Sequence, residues 1–442
     1  MGSVWRSGAG MLSRHGMLLV LLVLAAFFSL MTLNQQPLTG PEAARQVAQD
    51  MLQTLESESR VLVVASDQGN DPLFADQLTQ QLVAAGQPVV ATIKGDPQTA
   101  RRILSNRAQQ HEQLEAIALS DRAAGWLLFA SLEQDFPTLG HPALFQPRPY
   151  RYPSFLKADN LLNIANQISV IAILAIGMTI VIITGGIDLS VGSLIALSAV
   201  LATWLVRESF GGTEATTLGM VTAAGLAILL CGVIGAFSGW MITCFAISPF
   251  IVTLAMMLVA SGSAYLLSGG QSIAVLPDSF VWLGRGADLF GIPNAVLLML
   301  ILYGIAHLLM TRTTWGRRIY AVGGNCEAAR LSGVPVRRVT VTAYVTCGLL
   351  AGLGGIIMAS QLKSGSPAYG QMYELYVIAA VVVGGTSLRG GEGRIFGTLV
   401  GAFTIAVIQN GMNLMNVESY TQKVVLGLVI LAAVLVDRLR HR

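Results

Sequence analysis

The chain has 442 residues, 53% of them hydrophobic and only 12% charged, with a formal net charge of +3. Soluble globular proteins carry about 25% charged residues, so a soluble enzyme, a disordered tail and a fibre are excluded, and the mean hydropathy of +0.64 agrees. The basic residues are scattered over many short loops, which argues against nucleic-acid binding; what remains is a membrane protein with many spans.

Charge is unevenly placed along the chain. Residues 35–157 hold 10 Lys/Arg and 13 Asp/Glu, whereas the much longer stretch 158–442 holds 15 and 11. The organisation is therefore one hydrophobic span (1–34), a water-soluble block (35–152) and a long membrane domain (153–442). A spanning helix needs about 20 mainly apolar residues. The first is residues 16–33, preceded by Arg6 and Arg14; no clear small-residue cleavage site follows, so it reads as an uncleaved anchor.

The soluble block alternates helix and strand. Residues 41–57 place Ala44, Val47, Met51, Leu52 and Leu55 at helical spacing. The run RVLVVAS (60–66) predicts a strand, 71–85 an amphipathic helix ended by Gly86, and 88–93 a second strand. Asp96 before Pro97 predicts an N-cap for a helix to about Gln110, and 114–119 and 125–132 predict further strands. This pattern implies a small α/β domain with a largely parallel sheet. The loop Ser66-Asp67-Gln68-Gly69-Asn70-Asp71 follows a strand and precedes a helix, where such folds bind ligands, although an ordinary polar loop has the same composition. Pro137, Pro142, Pro147, Pro149 and Pro153 make a stiff connector back to the membrane.

Further spans are expected at 161–183, 188–206, 216–236, 241–267, 293–311, 339–360, 374–387, 395–415 and 420–437. The fold class is thus an all-α polytopic membrane protein of about ten transmembrane helices with an inserted α/β extracytoplasmic domain. The run 374–387 is short and 241–267 contains Pro249, so both are candidates for broken or tilted segments. Orientation follows the positive charges of short loops. With the N-terminus inside, Arg312, Arg317, Arg318, Arg330, Arg337, Arg338, Arg389 and Arg394 fall in cytoplasmic loops, as do Arg438, Arg440 and Arg442 in the tail. The external loops then hold Arg207, Arg285 and Lys363, and residues 35–152 lie outside the cytoplasm.

Between two apolar runs stands Ile183-Thr184-Gly185-Gly186-Ile187-Asp188-Leu189-Ser190-Val191-Gly192-Ser193. A carboxylate at membrane depth is costly unless paired or wet, so Asp188 and Ser190 are candidates for transport; capping of the next helix is the other reading. Gly384-Gly385-Thr386-Ser387-Leu388-Arg389-Gly390-Gly391 echoes this segment when Gly185-Gly186 is laid on Gly384-Gly385, an internal repeat of a kind common in transporters. Gly235/Gly239, Gly348/Gly352 and Gly393/Gly397/Gly401 recur four residues apart, which suits close helix packing in lipid. Within 312–338, Glu327, Ala328, Ala329, Arg330, Leu331 and Ser332 predict one or two helical turns closed by Gly333, suited to docking another protein.

Some chemistry is not encoded. There is no GxxxxGK[ST] sequence and hence no ATP site. Cys231, Cys244, Cys326 and Cys347 form no CxxC pair and read as small buried apolar residues. The histidines are dispersed, so no metal centre is expected.

These segments carry a resemblance. Phe155-Leu156-Lys157-Ala158-Asp159-Asn160-Leu161-Leu162-Asn163-Ile164, then 183–193, 321–335, Ala380-Val381-Val382-Val383-Gly384-Gly385-Thr386-Ser387-Leu388, Asn410-Gly411-Met412-Asn413-Leu414 and Val434-Leu435-Val436-Asp437 resemble, in order, the permease subunit of bacterial ABC importers for ribose and related monosaccharides. The likeness covers the first span and essentially all of 153–442. It implies a subunit of the inner membrane that works in a pair with a second copy or a paralogue. A separate cytoplasmic double-cassette ATPase, which holds ATP and Mg, would power it, and a periplasmic sugar-binding protein would feed it. Residues 327–333 would couple to the ATPase. Candidates to line the route are Asn160, Asn163, Asn166, Gln167, Asp188, Ser190, Asn410 and Asn413. The 35–152 block departs from the family pattern, which has a short loop there. Competing expectations are a permease for another solute (a branched-chain amino acid, a nucleoside or a furanose signal), a membrane-anchored sensor using 35–152, and a secondary transporter.

Overall fold

The computed structural model describes residues 2–56 and 58–440, with the backbone alone for 2–15, 433 and 436–440. Ser57, the side chains of Arg6, Arg14, Val436, Asp437, Arg438 and Arg440, and Arg442 lie outside the described residues, as do the expectations resting on them. The chain divides into two compact units, Met1–Thr32 with Ser154–Arg442, and Leu33–Pro153. The larger unit opens with α1 (Gly2–Met31).

The smaller unit contains β1 (Leu33–Gln36), α2 (Gly40–Thr54), β2 (Val61–Ser66), α3 (Asp71–Ala84), β3 (Val89–Gly95), α4 (Pro97–Gln109) and β4 (Ala116–Leu119). The one-turn helices α5 (Asp121–Ala124), α6 (Leu127–Ala130) and α7 (Leu132–Asp135) follow, then β5 (Ala143–Phe145) and β6 (Tyr150–Pro153). Strands β2 to β5 form a parallel sheet in the order β3-β2-β4-β5. Every residue of β2 is buried because both faces of the sheet are covered. Val61 and Val63 pack with Val47, Met51, Phe74 and Leu78; Leu62 and Val64 pack with Leu104, Leu128 and Phe129 on the other face. Asp96 caps α4 as expected, its carboxylate accepting the Thr99 N–H at 2.8 Å. That bond holds the Asp96 carboxyl below its ordinary range.

Two features of this unit differ from the sequence reading. Residues 125–132 form no strand: Gly125 ends α5, which Ser120 caps through the Ala123 N–H at 3.3 Å, and Leu128 and Phe129 are buried from the single turn of α6. A short apolar run has no periodicity that separates strand from helix. The sheet is completed instead by β5. The antiparallel ribbon of β1 and β6 was not expected, since both strands are polar and largely exposed.

The larger unit continues through α8 (Ala158–Ile183), α9 (Val191–Ser209), α10 (Thr217–Phe245), α11 (Pro249–Ser268), α12 (Trp282–Arg285) and α13 (Asn294–Arg312). It ends with α14 (Thr314–Gly324), α15 (Cys326–Leu331), α16 (Val336–Leu362), α17 (Tyr373–Val383), α18 (Ile395–Leu414) and α19 (Ser419–Arg440). Among the described residues, 7 helices are long and apolar enough to cross a membrane: α8 to α11, α13, α16 and α18. Shorter apolar helices are Gly16–Met31, Tyr373–Val383 and Ser419–Ala432. The chain is a mostly helical, multi-pass membrane protein.

Helix α8 is the axis of this unit. It is apolar all round and buried without interruption from Ile168 to Ile183, as such a helix must be when surrounded by others. Pro249 does not interrupt a span. Helix α10 runs on to Phe245 and stops at Ala246, whose φ is +51°. Pro249 then opens α11, where its missing N–H costs nothing. The 312–338 connection is more ordered than the sequence suggested, because α14 and α15 both lie within it.

The glycine pairs of α10 and α16 face each other. A Cβ at Gly239 would stand 2.8 Å from the Val341 Cα, and one at Gly352 would stand 2.9 Å from the Ile228 Cα. In lipid, where apolar burial does not drive helices together, such close backbone approach holds them. Cys231 and Cys347 are buried in this region, but Cys244 and Cys326 are exposed, contrary to the expectation for all four. Cys244 is the last residue but one of α10 and Cys326 begins α15, and neither faces the core.

Candidate functional site

The two glycine-rich turns close their helices in the same way. Gly185 donates to the Ile182 carbonyl at 2.9 Å and Gly186 to Val181 at 3.1 Å; Gly385 donates to Val382 at 2.9 Å and Thr386 to Val381 at 3.1 Å. Both Gly185 and Gly385 have φ of +85°, the left-handed residue that a helix-ending motif of this type requires. The repeat is therefore real in geometry but offset by one from the sequence register, since Gly185 corresponds to Gly385 rather than Gly384. The other two glycines are packing positions. A Cβ at Gly384 would stand 2.5 Å from the Gly397 carbonyl oxygen, and one at Gly186 would strike the Tyr344 hydroxyl. Beyond the glycines, Asp188 Oδ1 accepts the Ser190 N–H at 2.9 Å and its hydroxyl at 2.6 Å, as Ser387 Oγ accepts the Arg389 N–H at 3.3 Å. The second copy is one residue shorter between glycine and turn.

These turns meet the end of α14. Gly391 donates its N–H to the Ile183 carbonyl at 2.8 Å, and the Tyr320 hydroxyl donates to the Gly393 carbonyl at 2.8 Å. A Cβ on Gly391 would lie 2.9 Å from the Gly324 Cα, and one on Gly323 would run into the Ile183 carbonyl. Helix α15 starts directly after this seam. Asn325 caps it by accepting the Ala328 N–H at 2.9 Å, and Gly333 (φ +80°) ends it. Ala329 faces inward, whereas Glu327, Ala328, Arg330, Leu331 and Ser332 are exposed. Leu331 is 85% exposed, unusual for leucine at a helix end and suited to a partner surface. The Glu327–Arg330 pair at 3.0 Å is open to solvent and contributes little to stability.

The polar candidates separate into bridges and exposed positions. Asn160 and Asn410 donate to each other's side-chain oxygens at 3.0 and 2.9 Å, tying α8 to α18. Asn166 donates to the Gly284 carbonyl at 3.2 Å, and Asn413 accepts from Gln422 at 2.7 Å. Asn163 and Gln167 are exposed on α8. Asp188 and Ser190 are both buried, and among the described residues Asp188 Oδ2 has no hydrogen-bond partner. In the smaller unit the 66–71 loop is drawn onto the start of α5. Ser120 donates to the buried Asp71 carboxylate at 2.6 Å and Arg122 to Gln68 at 3.0 Å. Burial and the neighbouring Asp71 carboxylate push the Asp121 carboxyl above its ordinary range.

None of Asn160, Asn163, Asn166, Gln167, Asp188, Ser190, Asn410 and Asn413 lines a cavity found in the larger unit, although Gly192 and Ser193, at the end of the 183–193 segment, do. This space of about 300 Å³ opens between α9, α11 and the segment leading into α17, with Ser193, Ser261, Tyr369, Gln371 and Glu374 on its wall. The volume is at the lower end for small-molecule sites. The signal for it was the short apolar run near 374: interrupted helices mark binding sites in transporters, and Gly365, Pro367 and Gly370 mark the interruption.

Long apolar helices packed through glycines, a duplicated helix-ending turn and a cavity beside a broken helix define a membrane transport protein. The chain belongs to the family described as branched-chain amino acid transport system / permease component, whose model matches residues 160–434. It is 46% identical over 289 residues to the ribose import permease protein of Escherichia coli K12, covering 64% of this chain and 87% of that protein. It is 45% identical over 288 residues to the ribose import permease protein of Bacillus subtilis 168, covering 65% and 87%. To the L-arabinose transport system permease protein of E. coli K12 it is 39% identical over 290 residues, covering 66% and 86%. No solved structure matches it. These relatives are transport subunits rather than enzymes.

Proposed function

We propose that this chain is the permease subunit of an ATP-binding-cassette importer and carries a ribose-like monosaccharide across the inner membrane by alternating access. The observation that carries this reading is the 46% identity to a ribose import permease over 87% of that protein. All ten apolar helices cross the membrane in this proposal, with both termini cytoplasmic. Helix α17 has 11 residues, about 16 Å at 1.5 Å per residue, and the non-helical segment before it completes a crossing of about 30 Å. Such backbone is tolerated at membrane depth where it lines a cavity.

The partners follow from the same reading. A cytoplasmic double-cassette ATPase holds ATP and Mg and receives residues 327–333. A second permease copy or a paralogue completes the pathway, and a periplasmic sugar-binding protein delivers solute. The chain itself binds no cofactor and hydrolyses nothing. The domains are 1–34, 35–152 and 153–442, the middle one lying outside the cytoplasm, where it modifies or replaces the contact with the binding protein. A second reading, transport of a branched-chain amino acid, is favoured by the family's description.

Orientation has a direct test in Cys326, which is exposed at the start of α15. In a variant with Cys244 replaced by serine, a membrane-impermeant maleimide should label Cys326 in inside-out vesicles and leave it unlabelled in intact spheroplasts. Labelling in spheroplasts would place 327–333 on the wrong side for an ATPase.

A further inference from the structure

The cavity wall has one carboxylate and no base: none of its lining residues is Lys, Arg or His. The carboxylate is Glu374, partly buried in the first turn of α17. Among the described residues it makes no ion pair. Its position is set by two glycines. A Cβ at Gly192 would strike Glu374 Oε2 and the Gly370 carbonyl, and one at Gly370 would stand 3.0 Å from the Ile195 Cβ. Glu374 Oε2 therefore lies against the first turn of α9, the end of that helix that attracts anions. A helix start facing a cavity would ordinarily hold a carboxylate or phosphate of a ligand. Here the protein's own carboxylate lies beside that turn.

We infer that Glu374 determines the charge specificity of the cavity: it accepts hydroxyl hydrogen bonds from a neutral polyhydroxylated solute and excludes solutes bearing a carboxylate or phosphate. The inference rests on the transport reading above and names the substrate class of that site. An anionic group entering the cavity meets like charge at close range with no lining cation to offset it, and the low dielectric around it strengthens the repulsion. A sugar hydroxyl meets an acceptor, with Ser193, Ser261, Tyr369 and Gln371 able to donate or accept around it. Glutamine at 374 keeps the shape and one acceptor but removes the charge.

The test is saturation-transfer NMR on the full chain in nanodiscs, with D-ribose, D-galacturonate and L-leucine as probes. Wild type should give transfer to ribose and none to galacturonate or leucine. Glu374→Gln should weaken ribose by about tenfold, the scale of one charge-assisted hydrogen bond, and should admit galacturonate. Ser261→Val narrows the cavity without touching the charge, and should weaken ribose while galacturonate stays excluded. If Glu374→Gln leaves ribose unchanged and galacturonate still excluded, the inference is overturned while the sugar reading stands. If wild type binds leucine and not ribose, the sugar reading falls and the inference with it.

Discussion

Gly323→Ala is expected to cut ATP-driven import at least about tenfold, while Gly324→Ala, one residue further along, leaves it near wild type. The added methyl at 323 would collide with the Ile183 carbonyl and stand 2.5 Å from the Gly391 nitrogen, whereas at 324 nothing lies within 4 Å. Overpacking costs about 1–3 kcal/mol even where side chains yield, which is about five- to 150-fold in an equilibrium, and here the obstacle is backbone. The seam joins the end of α14 to the ends of both repeated turns, directly before α15. A displaced seam therefore shifts the segment proposed to receive the ATPase stroke. Ribose uptake by right-side-out vesicles loaded with ATP, together with co-purification of the cognate ATPase, separates lost coupling from lost assembly. Wild-type uptake by Gly323→Ala would mean that the seam plays no part in coupling.

Gly348→Leu should remove folded permease from the membrane. Its side chain would start against the Cys231 carbonyl and 3.4 Å from the Gly235 Cα, where α10 and α16 touch backbone to backbone. No rotamer escapes such a contact, so the helices must separate and lose the packing that associates them in lipid. Gly225→Leu is the control, since a Cβ there, on the facing helix α10, meets nothing within 4 Å. Monodisperse yield after mild detergent extraction is the readout, and equal yields from the two variants would contradict the role given to the glycine pairs.

The spans were legible because long apolar runs have few alternatives, and residues 161–183 and 395–415 fell close to α8 and α18. Where apolarity runs on without a break, as from 216 to 267, composition does not say where one helix ends. The stop at Ala246 and the start at Pro249 came from backbone geometry. The glycine pairs were readable because spacing of four puts both on one helix face. The repeat was visible in its residues, but its register was set by a hydrogen-bond pattern around Gly185 and Gly385 that identity matching does not see. The cavity was least legible. Ser193, Ser261 and Gln371 are far apart in sequence and unremarkable singly, and only the packing of α9, α11 and the segment before α17 brings them together. Asn160 and Asn410 stood out in the sequence as polar residues in apolar surroundings, and the structure joins them to each other.

The most direct measurement is solute accumulation in sealed proteoliposomes, with the permease alone and with its ATPase, binding protein and internal ATP added. The account predicts no concentration of ribose above the external level by the permease alone, and concentration once the complete, fuelled assembly is present. Uphill accumulation by the isolated chain would contradict it.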